Sequence, residues 1–161
     1  MDVRAAFNAI VGNLEYPMFI VTARAGEERL GCLVGFATQT SIDPPRFAVC
    51  LSHANRTYRH GYHAAALGVH GVPADAPELA ELFGGETGDE VDKFARCEWH
   101  DGPDGVPILD ACVNWFVGRV VHRIAAGDHD LFLLEPVAAS AGEQEEFTFH
   151  RAQRIEPGHQ A

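Results

Sequence analysis

Apolar residues recur at helical spacing over residues 2–14, DVRAAFNAIVGNL, where Val3, Phe7, Ile10, Val11 and Leu14 share one face and Asp2 stands at the N-cap position. The period then changes. PMFIVTAR and RLGCLVGFATQT flank an AGEE turn and predict a β-hairpin, and RFAVCLS, after the double proline of SIDPP, predicts a third strand, since Pro is excluded from the middle of a ladder. NRTYRHGYHAAA has the composition of a helix with Asn55 as N-cap, and LGVHGV predicts a strand. DAPELAELFGG predicts a short helix with Asp75 as cap, Pro77 in its first turn, Leu79, Leu82 and Phe83 turned inward, and Gly84 and Gly85 ending it. GDEVDKFARCEW reads as a helical turn leading into a strand, and HDGPDGVP as a loop. Two long strands joined by AAGDHD follow in LDACVNWFVGRVVHRIAAGDHDLFLLEPVAAS, where a period of two places Cys112, Phe116, Gly118, Val120 and His122 on one side. EFTFHR predicts a closing strand, and the polar tail 152–161 is expected to be disordered. Six or seven short-connected strands with three or four short helices imply a mainly β, antiparallel barrel. No linker or repeat divides it, so one domain is expected over 1–151.

A chain of 161 residues is long enough to bury one core without staples. Cys32, Cys50, Cys97 and Cys112 form no Cys-x-x-Cys pair and read as reduced thiols. No stretch has the length of a membrane span, and MDVRAAF lacks the layout of a signal peptide, so the expected location is cytoplasmic, away from membranes. With 12 Lys and Arg against 23 Asp and Glu, the formal charge of −11 argues against nucleic acid as a partner. It leaves room for one bound phosphate, because charges beyond about 8 Å are screened at physiological salt.

The candidate chemistry lies in residues 31–57, GCLVGFATQTSIDPPRFAVCLSHANRT. One group of hydroxyl and amide residues (Thr38, Gln39, Thr40, Ser41) ends a strand, a rigid Asp43-Pro44-Pro45 corner follows, and a second group (Ser52, Asn55, Thr57) stands at the head of a helix. Brought to one end of the barrel, they and the nearby backbone N–H groups would make a phosphate site with Arg56 as its one cation. Each feature alone also has a plain structural reading: Thr and Ser suit strands, Asp-Pro-Pro suits a turn, and Asn suits a helix cap.

In their order these segments resemble the flavin reductase-like family, the FMN-binding split barrels that include the reductase components of two-component flavin monooxygenases. The family's Ser-x-Asp-Pro-Pro corner, apolar strand and Ser/Asn-x-Thr group stand here as SIDPP, RFAVCLS and HANRT. The match runs on through DKF, GVPILDACVNW and GDHDLFLLEPV to FTFHR, about residues 5–151. The resemblance implies a split β-barrel, acting as a homodimer, that moves hydride from NADH or NADPH to FMN or FAD and passes reduced flavin to a monooxygenase. It places Thr38, Gln39, Thr40 and Ser41 along the flavin ring and ribityl chain, and Ser52, His53, Asn55, Arg56 and Thr57 at the phosphate. Gly127, Asp128 and His129 are implied to position the nicotinamide, with His129 the catalytic position at the flavin face, and Phe94 and Trp99 to line the substrate side. GDH alone would read as a hairpin turn, and the two aromatics as core. The sequence departs from the family at Leu33, where a hydroxyl residue is usual, and at Gly35 and Phe36, which replace a small polar pair.

A flavin-binding electron carrier or storage module of the same fold shares these features, and so does a barrel that has lost its ligand. The nine histidines match no zinc spacing, and no metal ligand is assigned.

Overall fold

The computed structural model describes residues 2–158. Helix α1 (Val3–Gly12) begins where Asp2 accepts a hydrogen bond from the Ala5 N–H, as its cap position predicts. Strands β1 (Phe19–Ala25) and β2 (Glu28–Val34) form the expected hairpin, turning at Gly26, whose φ of +62° suits a residue without a Cβ. The run predicted as one strand from Arg29 to Thr40 breaks at Gly35 and Phe36. Beyond them β3 (Ala37–Ser41) pairs with β4 (Arg46–Ser52) and not with β1.

Helix α2 (Arg56–Gly61), strand β5 (Ala66–Gly71) and helix α3 (Pro77–Gly85) follow in the expected order. The predicted cap Asp75 is not used: Ala76 holds the N-cap position and no side chain caps α3, so packing of Leu79 and Phe83 carries it. A 3-10 turn at Lys93–Ala95 leads into β6 (Trp99–Asp101), which pairs with β7 (Pro107–Leu109) in a short ribbon. Strand β8 (Trp115–Ala125) starts later than its apolar run suggested, leaving Cys112 in the preceding turn, and two register shifts opposite β9 (His129–Ser140) interrupt the simple alternation.

The predicted closing strand at 146–151 is replaced by two isolated bridges and helix α4 (Phe149–Ala152). Phe147 donates to the Val72 carbonyl and accepts from the Met18 N–H while its ring is buried, so the segment threads between two strands too briefly to form a ladder. Part of the tail is also packed, with Ala152 and Ile155 against the core; residues 159–161 lie outside the described residues.

The main sheet has the order β2-β1-β5-β8-β9-β4-β3 and is antiparallel throughout. It curls until β2 lies beside β4, although the two are not hydrogen-bonded to each other. This is a barrel with one open seam, the split-barrel architecture. Val21, Ala23, Cys32, Val49, Leu51, Leu67, Val69, Phe132 and Leu134 fill its interior. Ile20, one position along from Val21, faces a second core built by α3, Phe94, Leu109 and Phe147. Both faces of β1 are therefore covered, which explains its nearly continuous apolar sequence.

Candidate functional site

The unpaired seam and the chain's crossing from β2 to β3 create a cleft of about 190 Å³. Its polar wall is Ser52 and Asn55, both mostly buried, with His129; its apolar wall includes Tyr16, Met18, Leu51 and Phe149. The stretch Leu33–Phe36 runs along the rim. The side chain of Leu33 packs against Gly84 of α3, where an added Cβ would stand 2.7 Å from it, so the missing hydroxyl at this position is exchanged for core packing. Phe36 is half exposed and lies 5.1 Å, ring to ring, from His129. Tyr16 and Phe149 stack at 4.6 Å on the far wall.

The polar corner is fixed by local chemistry. Asn55 caps α2 by accepting from the Thr57 N–H at 2.8 Å, and Thr57 is buried behind it. Ser52 pairs with His129 across β4 and β9, and the His53 N–H donates to the Asp128 carbonyl. His129 sits just past the turn at Gly127, whose φ is +120°, and its Nδ1 is 2.7 Å from the Asp128 carboxylate. That bond holds Asp128 below the usual carboxylate range. His53 points elsewhere: its Nε2 lies 2.7 Å from the buried Asp130 carboxylate, which also accepts from the Tyr58 hydroxyl at 2.9 Å. The His53 bond lowers the Asp130 pKa, and the Asp130 bond raises that of Tyr58.

The structure therefore unites Ser52, Asn55 and His129 but separates others that sequence placed beside them. Thr38, Gln39, Thr40 and Ser41 occupy the outer edge strand, with Ser41 opposite Arg46 at the far end of β4 from Ser52. A seven-residue strand puts about 20 Å between those ends. Arg56 is held by Glu28 and by Asp89, the latter at 2.7 Å. Phe94 and Trp99 border a different, larger cavity on the other side of β2. Leu33, Gly35 and Phe36, marked in the sequence as departures from the family pattern, do line the cleft, whereas Tyr16, Cys50 and Phe149 were not singled out from the sequence. Only the place of those three beside the polar corner reveals them, for nothing in their residue types marks a site.

Burial raises the pKa of every thiol, Cys50 in the cleft among them, and pushes Cys32 and Cys97 up to about 11 and Cys112 to about 12, which disfavours the thiolate form. What the cleft offers is a small pocket lined by a polar corner, an apolar wall and one histidine. Its volume lies below the roughly 300–1,000 Å³ of enclosed ligand sites, so a ligand of that size is lodged in it by one part and stays open on the other side.

Comparison with known proteins matches the Flavin reductase like domain to residues 11–156. The chain is 30% identical over 140 residues to FMN reductase (NADH) RutF of Ancylobacter novellus, covering 86% of this chain and 76% of that protein. It is also 30% identical to the ferric-chelate reductase (NAD(P)H) of Archaeoglobus fulgidus, covering 86% of this chain and 80% of the relative. A solved oxidoreductase of Sinorhizobium meliloti 1021 superposes with a TM-score of 0.82 at 25% identity over 92% of this chain, which spans about half (51%) of that protein.

Proposed function

This chain belongs to the flavin reductase-like family, and on that premise we propose that it transfers hydride from a reduced nicotinamide nucleotide to a flavin seated in the seam cleft. The observation that carries this reading is the meeting of Ser52, Asn55 and His129 with the Leu33–Phe36 rim in one slot open on its outer side. When bound there, the flavin supplies the two-electron chemistry. The protein binds, orients and dries the site. Ser52 and Asn55 hold polar and phosphate-side atoms; Leu51, Met18, Tyr16 and Phe149 keep water from the apolar part of the ring. His129, steadied by Asp128 and backed by Phe36, stands where a nicotinamide would lie against the exposed face. Facing reactants held at roughly 3–3.5 Å account for most of the rate in such a transfer.

His53, Arg56 and Thr57 act on the phosphate side by fixing the corner that presents Ser52 and Asn55, through their bonds to Asp130, Glu28 and Asp89, and the α2 cap. Thr38, Gln39, Thr40 and Ser41 enter the contact set only for a ligand that extends along β4. FMN, lodged in the cleft by one part, is the flavin we assign, and the NADH of the Ancylobacter enzyme's name is the donor. Release of reduced flavin to a monooxygenase in the same cytoplasmic compartment is the proposed use of the product.

A second copy completes the assembly. Val3, Phe7 and Ile10 of α1 and Leu14 just beyond it are all more than half exposed, and Ile42 beside the β3 edge is 85% exposed. Apolar surface of this extent is normally covered by a partner, and a two-fold homodimer covers it with the same surface.

Absorbance and NADH oxidation test the reading together. Purified protein with FMN is expected to oxidise NADH. Ser52→Ala should weaken FMN binding about fivefold, the worth of one hydrogen bond, and His129→Ala should lower kcat/KM for NADH while FMN affinity stays within twofold. Absence of NADH oxidation with both FMN and FAD would leave the electron-carrier reading in its place.

A further inference from the structure

The second cavity, of about 530 Å³, lies between β2, the start of α2 and residues 86–95. It shares Asn55 with the seam cleft and continues along β2, with Leu30 and Gly31 lining it as Cys32–Val34 line the cleft. Arg29 is its unusual residue. The guanidinium lies 4.3 Å over the Trp99 ring, its Nε is buried without a hydrogen-bond partner, and among the described residues it makes no ion pair despite six carboxylates around the cavity. An arginine stacked on an indole with its fork unclaimed is suited to a phosphate that carries an aromatic base.

The other cations are occupied. Arg56 is held by Glu28 and Asp89, and Asp89 also takes Arg59 at 2.6 Å. Gly88 lies against the stem of Arg56, close enough that a Cβ would stand 3.0 Å from its Cδ. The Lys93 ammonium donates to the carbonyls of Gly31 and Phe83, fixing the floor. The carboxylate of Asp89 thus rests on two arginines at the cavity mouth, as a ligand phosphate would.

We propose that this cavity seats the adenosine 5′-monophosphate half of a dinucleotide, bound by Arg29 beside Trp99 and admitted when Asp89 leaves Arg56. The proposal rests on the reductase reading and extends it: a dinucleotide whose reactive end enters the seam cleft has its adenylate end within reach here.

Trp99 and Trp115 are the two tryptophans, so a Trp115→Phe background makes Trp99 the single indole reporter. Titration of AMP into the purified chain should quench its fluorescence saturably. Arg29→Ala should weaken AMP at least fivefold, Arg29→Lys should restore only part because the planar fork is lost, and Asp89→Asn should tighten AMP severalfold. Thermal melts of each variant separate these effects from misfolding. Inorganic phosphate matching AMP, an unsaturable signal, or equal AMP affinity in a folded Arg29→Ala variant would overturn the site. The two sources of adenylate differ in the same variant: weaker FAD with unchanged FMN assigns the flavin, and a raised KM for NADH with unchanged FAD assigns the nicotinamide nucleotide. No change in either would also overturn the proposal. FMN-dependent NADH oxidation by the unaltered chain tests the reductase reading separately, because FMN carries no adenylate.

Discussion

His70 shows how one buried residue joins β1 to β7 inside the second core and gives the protein a pH dependence. The Leu109 N–H donates to its Nε2 at 3.2 Å, so the ring proton is on Nδ1, which donates to the Ile20 carbonyl at 3.0 Å. Burial without a counter-charge lowers its pKa from 6.5 to about 4. Because the folded state refuses a proton that the unfolded chain accepts, the stabilising contribution is complete above pH 6.5 and is lost as pH falls through about 4. Its full size is about 3 kcal/mol. NMR of the His70 ring should show it neutral at pH 5.5, with denaturant midpoints falling from pH 7 to pH 4.5; a ring titrating near 6.5 would contradict the burial. The role was not legible in LGVHGV, since a lone histidine in a strand carries no mark of its partners.

At the scale of elements, the start of α1 was readable to the residue, including the Asp2 cap, because its periodicity is local, although the helix ends at Gly12, two residues short of Leu14. What its apolar face meets was not readable, and the fold leaves that face bare. Phe7→Glu should convert a dimer to a monomer in sedimentation velocity. The melting of the monomeric chain should shift by no more than about 0.5 kcal/mol, as for other surface substitutions. The β1–β2 hairpin was legible from its Gly26 turn, but the break at Gly35–Phe36 was not. Apart from Gly31 and Gly35 the residues from Leu30 to Thr38 suit a strand, and the bond from the Cys50 N–H to the Phe36 carbonyl shows that the chain has changed neighbours. The same change of direction explains the site. Thr38–Ser41 and Ser52–Thr57 are near each other in sequence, yet antiparallel pairing of β3 with β4 carries the first group toward Arg46 and away from the corner. Ser52, Asn55 and His129 were identifiable because β4 and β9 end together.

At the scale of the molecule, the open seam between β2 and β4 is the feature with the widest reach. Along the rest of the sheet, neighbouring strands share a ladder; here only side chains span the gap. A guest wedged there would act as a rung, fastening two margins that the polypeptide leaves unlaced. Deuterium uptake at Leu33, Val34, Leu51 and Ser52 should then slow on adding FMN, while the ladder between β8 and β9 changes little. Uptake equal with and without FMN at those four amides would show that occupancy and rigidity are uncoupled. Coupled, they make the empty chain looser than the loaded one, and discharge of the product a loosening of the container itself.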